Sequence, residues 1–148
     1  VVLCGDGAPW AEANLWLVSM MEMKVMPNML TFASLAEDLA AYRRYIEAER
    51  LDWLKFEAHK LRRPTYRYNG ALRIGVECAE LSAGVAKRRM STVVRFYRWL
   101  MSEAGFKPAH PPWVEADRYI GWKDDHGFSR IKTVTTTDVT IRNPIADD

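Results

Sequence analysis

Two cysteines in 148 residues, Cys4 and Cys78, cannot build a disulfide framework. Both lie in apolar surroundings, VVLC and GVECAEL, and the expected state is buried free thiols in a reducing compartment, the cytoplasm. The three histidines, His59, His110 and His126, share no ligand spacing with one another or with the cysteines, so no metal and no cofactor is expected. Long apolar runs are missing as well. The longest, within LWLVSMM, is broken by Ser19 and followed by Glu22 and Lys24. That is far short of the roughly 18 apolar residues that a membrane span needs. No leader pattern opens the chain, no glycine-rich loop suited to a phosphate occurs, and Asp124-Asp125 stands in a turn without a catalytic partner. These absences point to a soluble protein that does not act at a membrane.

Apolar residues make up 49% of the chain, enough for a real core. The net charge of +2 is nearly uninformative, but its distribution is not. Residues 1–54 hold 4 Lys/Arg against 8 Asp/Glu, residues 55–107 hold 12 against 4, and residues 108–148 hold 5 against 7. A basic middle third between acidic flanks suggests a polyanionic partner.

Periodicity predicts helices over most of that span. Trp10, Ala13, Leu17, Met20 and Met21 share one face of a helix over 10–24, which Pro27 ends. Leu35, Leu39, Tyr42, Ile46 and Trp53 mark a second over 32–51, with Thr31 placed to cap it. A third covers 65–80, weakened by Gly70 and Gly75. Ser82 caps a fourth over 83–104, and Gly105 stops it. Pro108, Pro111 and Pro112 then begin a connector, residues 114–120 read as one more short helix, and 124–127 as a turn. IKTVTTTDVTI, rich in β-branched residues, reads as a strand or extended arm, with 133–141 expected to pair with a short N-terminal strand at 1–4. The fold class expected is therefore all-α: a bundle of four to five helices with a C-terminal extended or β arm. Its divisions are a short extended N-terminus over 1–9, the bundle over 10–108 and the arm over 109–148.

The fourth helix carries the sharpest chemical signal. At about 100° per residue, Met90, Val93, Val94, Tyr97, Leu100, Met101 and Ala104 fall on one stripe. Arg88, Ser91, Thr92 and Arg95 fall opposite, at i, i+3, i+4 and i+7, flanked by Arg98 and adjoined in sequence by Lys87 and Arg89. Guanidinium forks suit phosphates and guanine edges, and short hydroxyls let a helix approach a backbone closely. No acid stands between Ala83 and Ser102 to lace this ridge with ion pairs. Arg62, Arg63, Arg67 and Arg73 could extend the basic surface, as could Lys24, Asn28, Thr31 and Ser34 near the start of the second helix. A hydroxyl at a helix N-terminus suits a phosphate, although Thr31 suits a plain cap equally well. Arg43 is better explained by pairing with Glu47, and Arg44 by Glu37.

The run ELSAGVAKRRMSTVVRFYRWLMSEAG resembles the last long helix of the N-terminal core-binding domain of tyrosine recombinases, the phage integrases. Thr31, Asp38 and Leu39 in TFASLAEDLAAYRRYI resemble that domain's first-helix pattern, and ANLWLVSMMEM the segment before it. The resemblance covers roughly residues 10–108 and implies a SAM-like helical bundle that clamps double-stranded DNA at recombination half-sites. The DNA-binding positions expected from the ridge and its neighbours are Arg88, Ser91, Thr92, Arg95, Arg98, Lys87, Arg89, Thr31, Asn28 and Arg67. The family's catalytic set of two Arg, a Lys, a His-x-x-Arg box and a Tyr nucleophile has no counterpart: His126 and Arg130 are four apart, and Tyr119 reads as a packing residue. This chain is therefore expected not to be an enzyme, but the DNA-binding piece of a recombinase cut before its catalytic domain. The parent would join DNA through a 3′-phosphotyrosine, self-associate as a tetramer on DNA, and reside with the nucleoid. The main alternative is a helical interaction bundle whose basic face meets an acidic protein.

Overall fold

The computed structural model describes residues 1–23 and 29–141, so Lys24, Pro27 and Asn28 lie outside the described residues. Among the described residues four α-helices form: α1 (Ala11–Glu22), α2 (Met29–Ala48), α3 (Pro64–Glu77) and α4 (Ala83–Ser102). They are followed by an antiparallel pair of strands, β1 (Glu115–Lys123) and β2 (Ser129–Thr137). The all-α expectation is thereby corrected: the chain is mixed α and β, and the helix expected over 114–120 is the first strand of a ribbon.

Local chemistry explains the helix ends. The Ser82 hydroxyl accepts the Val85 amide at 3.2 Å and starts α4. Gly105, at φ +73°, takes the left-handed conformation that lets the chain turn away after it. Pro64 occupies the first turn of α3, where its missing N–H costs nothing. Because α2 begins at Met29, Thr31 sits inside its first turn and does not precede it.

α4 lies at the centre and packs against α1, α2 and α3. Its Met90, Val93, Phe96, Tyr97 and Leu100 meet Trp10, Trp16 and Leu17 from the N-terminal region and Leu39, Tyr42 and Ile46 from α2. An aromatic cluster closes one side: Trp10 meets Phe96 edge-on at 5.3 Å, and Trp53 stacks on Phe96 at 5.8 Å. Between α2 and α4 the Tyr42 and Tyr97 hydroxyls lie 2.6 Å apart, and Tyr97 donates onward to the Trp53 carbonyl.

The N-terminus does not pair with 133–141 as expected. The Val2 amide donates to Asn14 Oδ1 at 2.7 Å, Asn14 returns a bond to the Val2 carbonyl, and Leu3 bridges to Pro9. Cys4 is half-buried and Cys78 exposed; both are free, so the expected burial of the thiols is corrected.

The ribbon leaves the bundle at Val114 and returns at Asp138. Its register runs from Glu115↔Thr137 to Lys123↔Ser129. At its tip Asp124 Oδ1 accepts the amides of His126 and Phe128, and Gly127 turns at φ +80°. At its base Asp138 accepts the Val114 amide at 2.9 Å, the Tyr66 hydroxyl at 2.6 Å and the Lys60 ammonium at 2.9 Å. Burial raises the Asp138 carboxyl, but these bonds outweigh it and hold the group below the usual range. The chain then re-enters the core with Val139 and Ile141, fixed by Asn69 Nδ2 on the Val139 carbonyl at 2.6 Å.

Candidate nucleic-acid interface

Three helices pack around α4, so its buried arc is wider than one apolar stripe. Phe96, at about 240° on the wheel, faces Trp10 and Trp16, and Thr92, at about 200°, faces α2. What stays exposed is a strip carrying Lys87, Arg88, Ser91, Arg95 and Arg98.

Two of the expected contacts are corrected. Thr92 is buried, its hydroxyl donating to Asp38 Oδ2 at 2.7 Å and to the Arg88 carbonyl at 3.1 Å, so it holds α4 to α2 and does not face solvent. Arg88 reaches across with Nε to Asp38 Oδ1 at 3.1 Å, while its side chain stays about half exposed. Asp38 is itself fully buried. The ridge is acid-free along its own helix, but α2 supplies this carboxylate to it.

Arg95 is exposed, with its guanidinium 6.0 Å from the centre of the Trp16 ring. Arg98 pairs with Glu115 at 2.6 Å and lies over Trp113 at 5.2 Å, so the ribbon's first residue fixes its direction. Lys87 and Ser91 stand exposed on the same strip. Arg89 departs from it: it is half-buried, with its Nε enclosed and without an acceptor among the described residues. Its charge acts on Tyr68, whose phenol burial nevertheless pushes up to about 12.

The remaining candidates lie elsewhere. Arg67 pairs with Glu49 at 3.1 Å, between α3 and the end of α2. Thr31 is half-buried in the first turn of α2 and has a partner of its own, and Asn28 lies outside the described residues. Arg63 is buried, with Nε on the Glu57 carbonyl at 2.7 Å, Nη1 on Pro111 at 2.9 Å and Nη2 on Ala58 at 3.0 Å. It is a staple for the loop before α3. Tyr119, expected to pack, is 74% exposed.

Sequence reasoning missed what stands opposite the strip. A groove of about 330 Å³ runs between α4 and the returning chain, with Lys87, Ser91, Arg95 and Arg98 on one side and Thr135, Thr136, Thr137 and Thr140 on the other. Its floor is Met90, Val94 and Ile141. Three cations and five hydroxyl side chains thus line one concave surface, which suits phosphate oxygens; of the hydroxyls, Thr135 donates to Asp117 at 2.9 Å, and Thr137 and Thr140 bond each other at 2.9 Å. The signal was present in TVTTTDVT, which reads as strand-forming and also carries a hydroxyl at five of its eight positions. Among the described residues no cluster of metal-binding side chains accompanies it. Comparison with known protein families, with curated proteins and with solved structures gives no match.

Proposed function

We propose that this chain is the DNA-holding part of a tyrosine recombinase, and that the duplex lies along the exposed strip of α4. The observation that carries the reading is the convergence of Lys87, Arg95, Arg98 and Ser91 with the threonines of β2 on one groove. Arg95 and Lys87 meet the backbone phosphates, Ser91 permits close approach, and Arg98, steered by Glu115, sits at the end of the strip nearest the ribbon. Arg88 is shared between Asp38 and the partner. In the intact recombinase this part sets the register of the duplex, and a separate catalytic part carries out strand exchange.

Fluorescence anisotropy with a labelled duplex of about 30 base pairs tests the proposal, over a series from about 50 to about 200 mM salt. Binding is expected to be micromolar or weaker, with log affinity falling by about 0.9 per log unit of salt for each phosphate contacted. Arg95→Ala is expected to weaken binding by about fivefold or more at unchanged helicity. A duplex ignored at every salt concentration, with an acidic protein bound instead, would overturn the reading.

A further inference from the structure

We propose that one face of the β-ribbon is a second wall of the same nucleic-acid site, an arm that lies along the duplex beside α4. This inference rests on the reading of the α4 strip as a DNA surface.

Side chains alternate across the ribbon, and the register sorts them. One face carries Arg118, Ile120, Trp122, Arg130, Lys132 and Val134, with no carboxylate among its positions. The other carries Tyr119 and Ile131 together with Glu115, Asp117 and, next to the turn, Lys123. The ribbon's charge is thus uneven: three cations and no acid on one face, two acids and one cation on the other. At the ribbon's base both faces meet the bundle: the buried Thr137 and Glu115, paired with Arg98, belong to the acidic face, and the half-buried Thr136 to the cationic one, with Thr135, Thr136 and Thr137 all lining the groove. One step outward the half-buried residues, Arg118 and Val134, are both of the cationic face. Beyond the groove the same face continues outward, with Trp122 paired across the strands with Arg130 and Ile120 with Lys132.

A two-stranded ribbon with both faces in water is marginal alone, and a tryptophan 48% exposed beside an isoleucine 46% exposed calls for an occupant. The charge on this face selects it. A second copy placed across a two-fold axis would set Arg118, Arg130 and Lys132 against their own counterparts. A polyanion that exposes sugar faces and thymine methyl groups along its grooves matches both the cations and Trp122. The dimensions agree. Nine residues per strand at about 3.3 Å extend about 30 Å, the length of α4 and of roughly nine base pairs. The tip is acidic, and Asp124 is engaged by Arg130 at 3.0 Å. The ribbon therefore lies along the duplex and does not enter it tip first.

The experiment compares, in the full chain and on the same duplex, Trp122→Ala and Lys132→Ala with Tyr119→Ala and Ile131→Ala from the opposite face. The cationic-face variants are expected to weaken binding by about fivefold. Lys132→Ala should also lower the salt slope by about one, which Trp122→Ala should not. Opposite-face variants should bind like the parent chain, and Trp122→Phe, which keeps an aromatic ring for apolar contact, should restore most of the affinity. If both cationic-face variants bind like the parent while Arg95→Ala weakens binding, the ribbon is overturned and the α4 reading stands. If Tyr119→Ala costs as much as Trp122→Ala, the face assignment is overturned. If the parent chain binds no duplex, the α4 reading fails and takes the ribbon with it.

Discussion

Asp38 decides which part of α4 stays exposed. It sits fully buried on α2 and takes one donor on each oxygen, Thr92 at 2.7 Å and Arg88 at 3.1 Å. A carboxylate removed from water is tolerable only when its lone pairs are used, and these two residues use them. Thr92 is thereby withdrawn from the surface and Arg88 half withdrawn. The i, i+3, i+4, i+7 spacing correctly placed Ser91 and Arg95 outside, but the wheel contains no information about a carboxylate on another helix. In Asp38→Asn one oxygen becomes an NH₂ group, so either Thr92 or Arg88 faces a donor in place of an acceptor. Denaturant unfolding followed by far-UV circular dichroism is expected to show a loss of about 1–3 kcal/mol. Arg88→Ala should cost less, because its side chain is half exposed and screened by water. Equal losses in the two variants would mean that Asp38 has no structural role beyond that one ion pair.

At the scale of elements, α2 and α4 are joined by two tyrosines. Tyr97 donates to the Trp53 carbonyl, so Tyr42 must donate to Tyr97. Burial raises both phenols, Tyr42 well above the ordinary value, and the neighbouring hydroxyls add to this for Tyr42. The sign follows. Folded tyrosines stay protonated above pH 10, where the unfolded ones lose their protons, so the stability they contribute is complete below about pH 10 and declines above it. The decline is about 1.4 kcal/mol per pH unit for each such tyrosine. Tyr42→Phe is expected to lower stability modestly at neutral pH and to make its fall above pH 10 shallower by one group, read from urea midpoints at a series of pH values. The helices themselves were legible because each buries one apolar stripe and carries its own cap or stop, as Ser82 and Gly105 do. β1 was not. EADRYIGWK holds few β-branched residues, and it is exposed on both faces, so it shows no apolar alternation. Only its pairing with β2 makes it a strand, and that is information from residues about 14 positions away on average along the register. Of the site, the cations of α4 were legible and the facing threonines were not, because their position depends on where the ribbon returns.

The whole molecule divides its tasks between a packed bundle and an arm that contributes little to it. Trp113 is buried just before the ribbon and Val139 and Ile141 just after it, whereas the strands between are almost wholly exposed. Val114 and Asp138 hold the two ends together through the Asp138 amide on the Val114 carbonyl at 3.0 Å and the Asp138 carboxylate on the Val114 amide at 2.9 Å. Glu115 and Thr137 are direct partners, so an Asn-Gly turn can replace residues 116–136 between them. Such an excision removes a long surface excursion and few buried contacts, and the loop-closure entropy it relieves is small and favourable. Thermal unfolding by calorimetry is expected to stay cooperative, with a midpoint within about 4 °C of the parent chain. Val139→Ala in the full chain provides the contrast. It empties a fully buried site beside Asn69 and is expected to cost about 2 kcal/mol, although it lies outside every helix and strand. If excision lowered the midpoint more than Val139→Ala does, the ribbon would be part of the core. If it left the midpoint in place, the exposed Trp122 and Ile120 have no role in folding, which is what the proposed binding role of the arm requires.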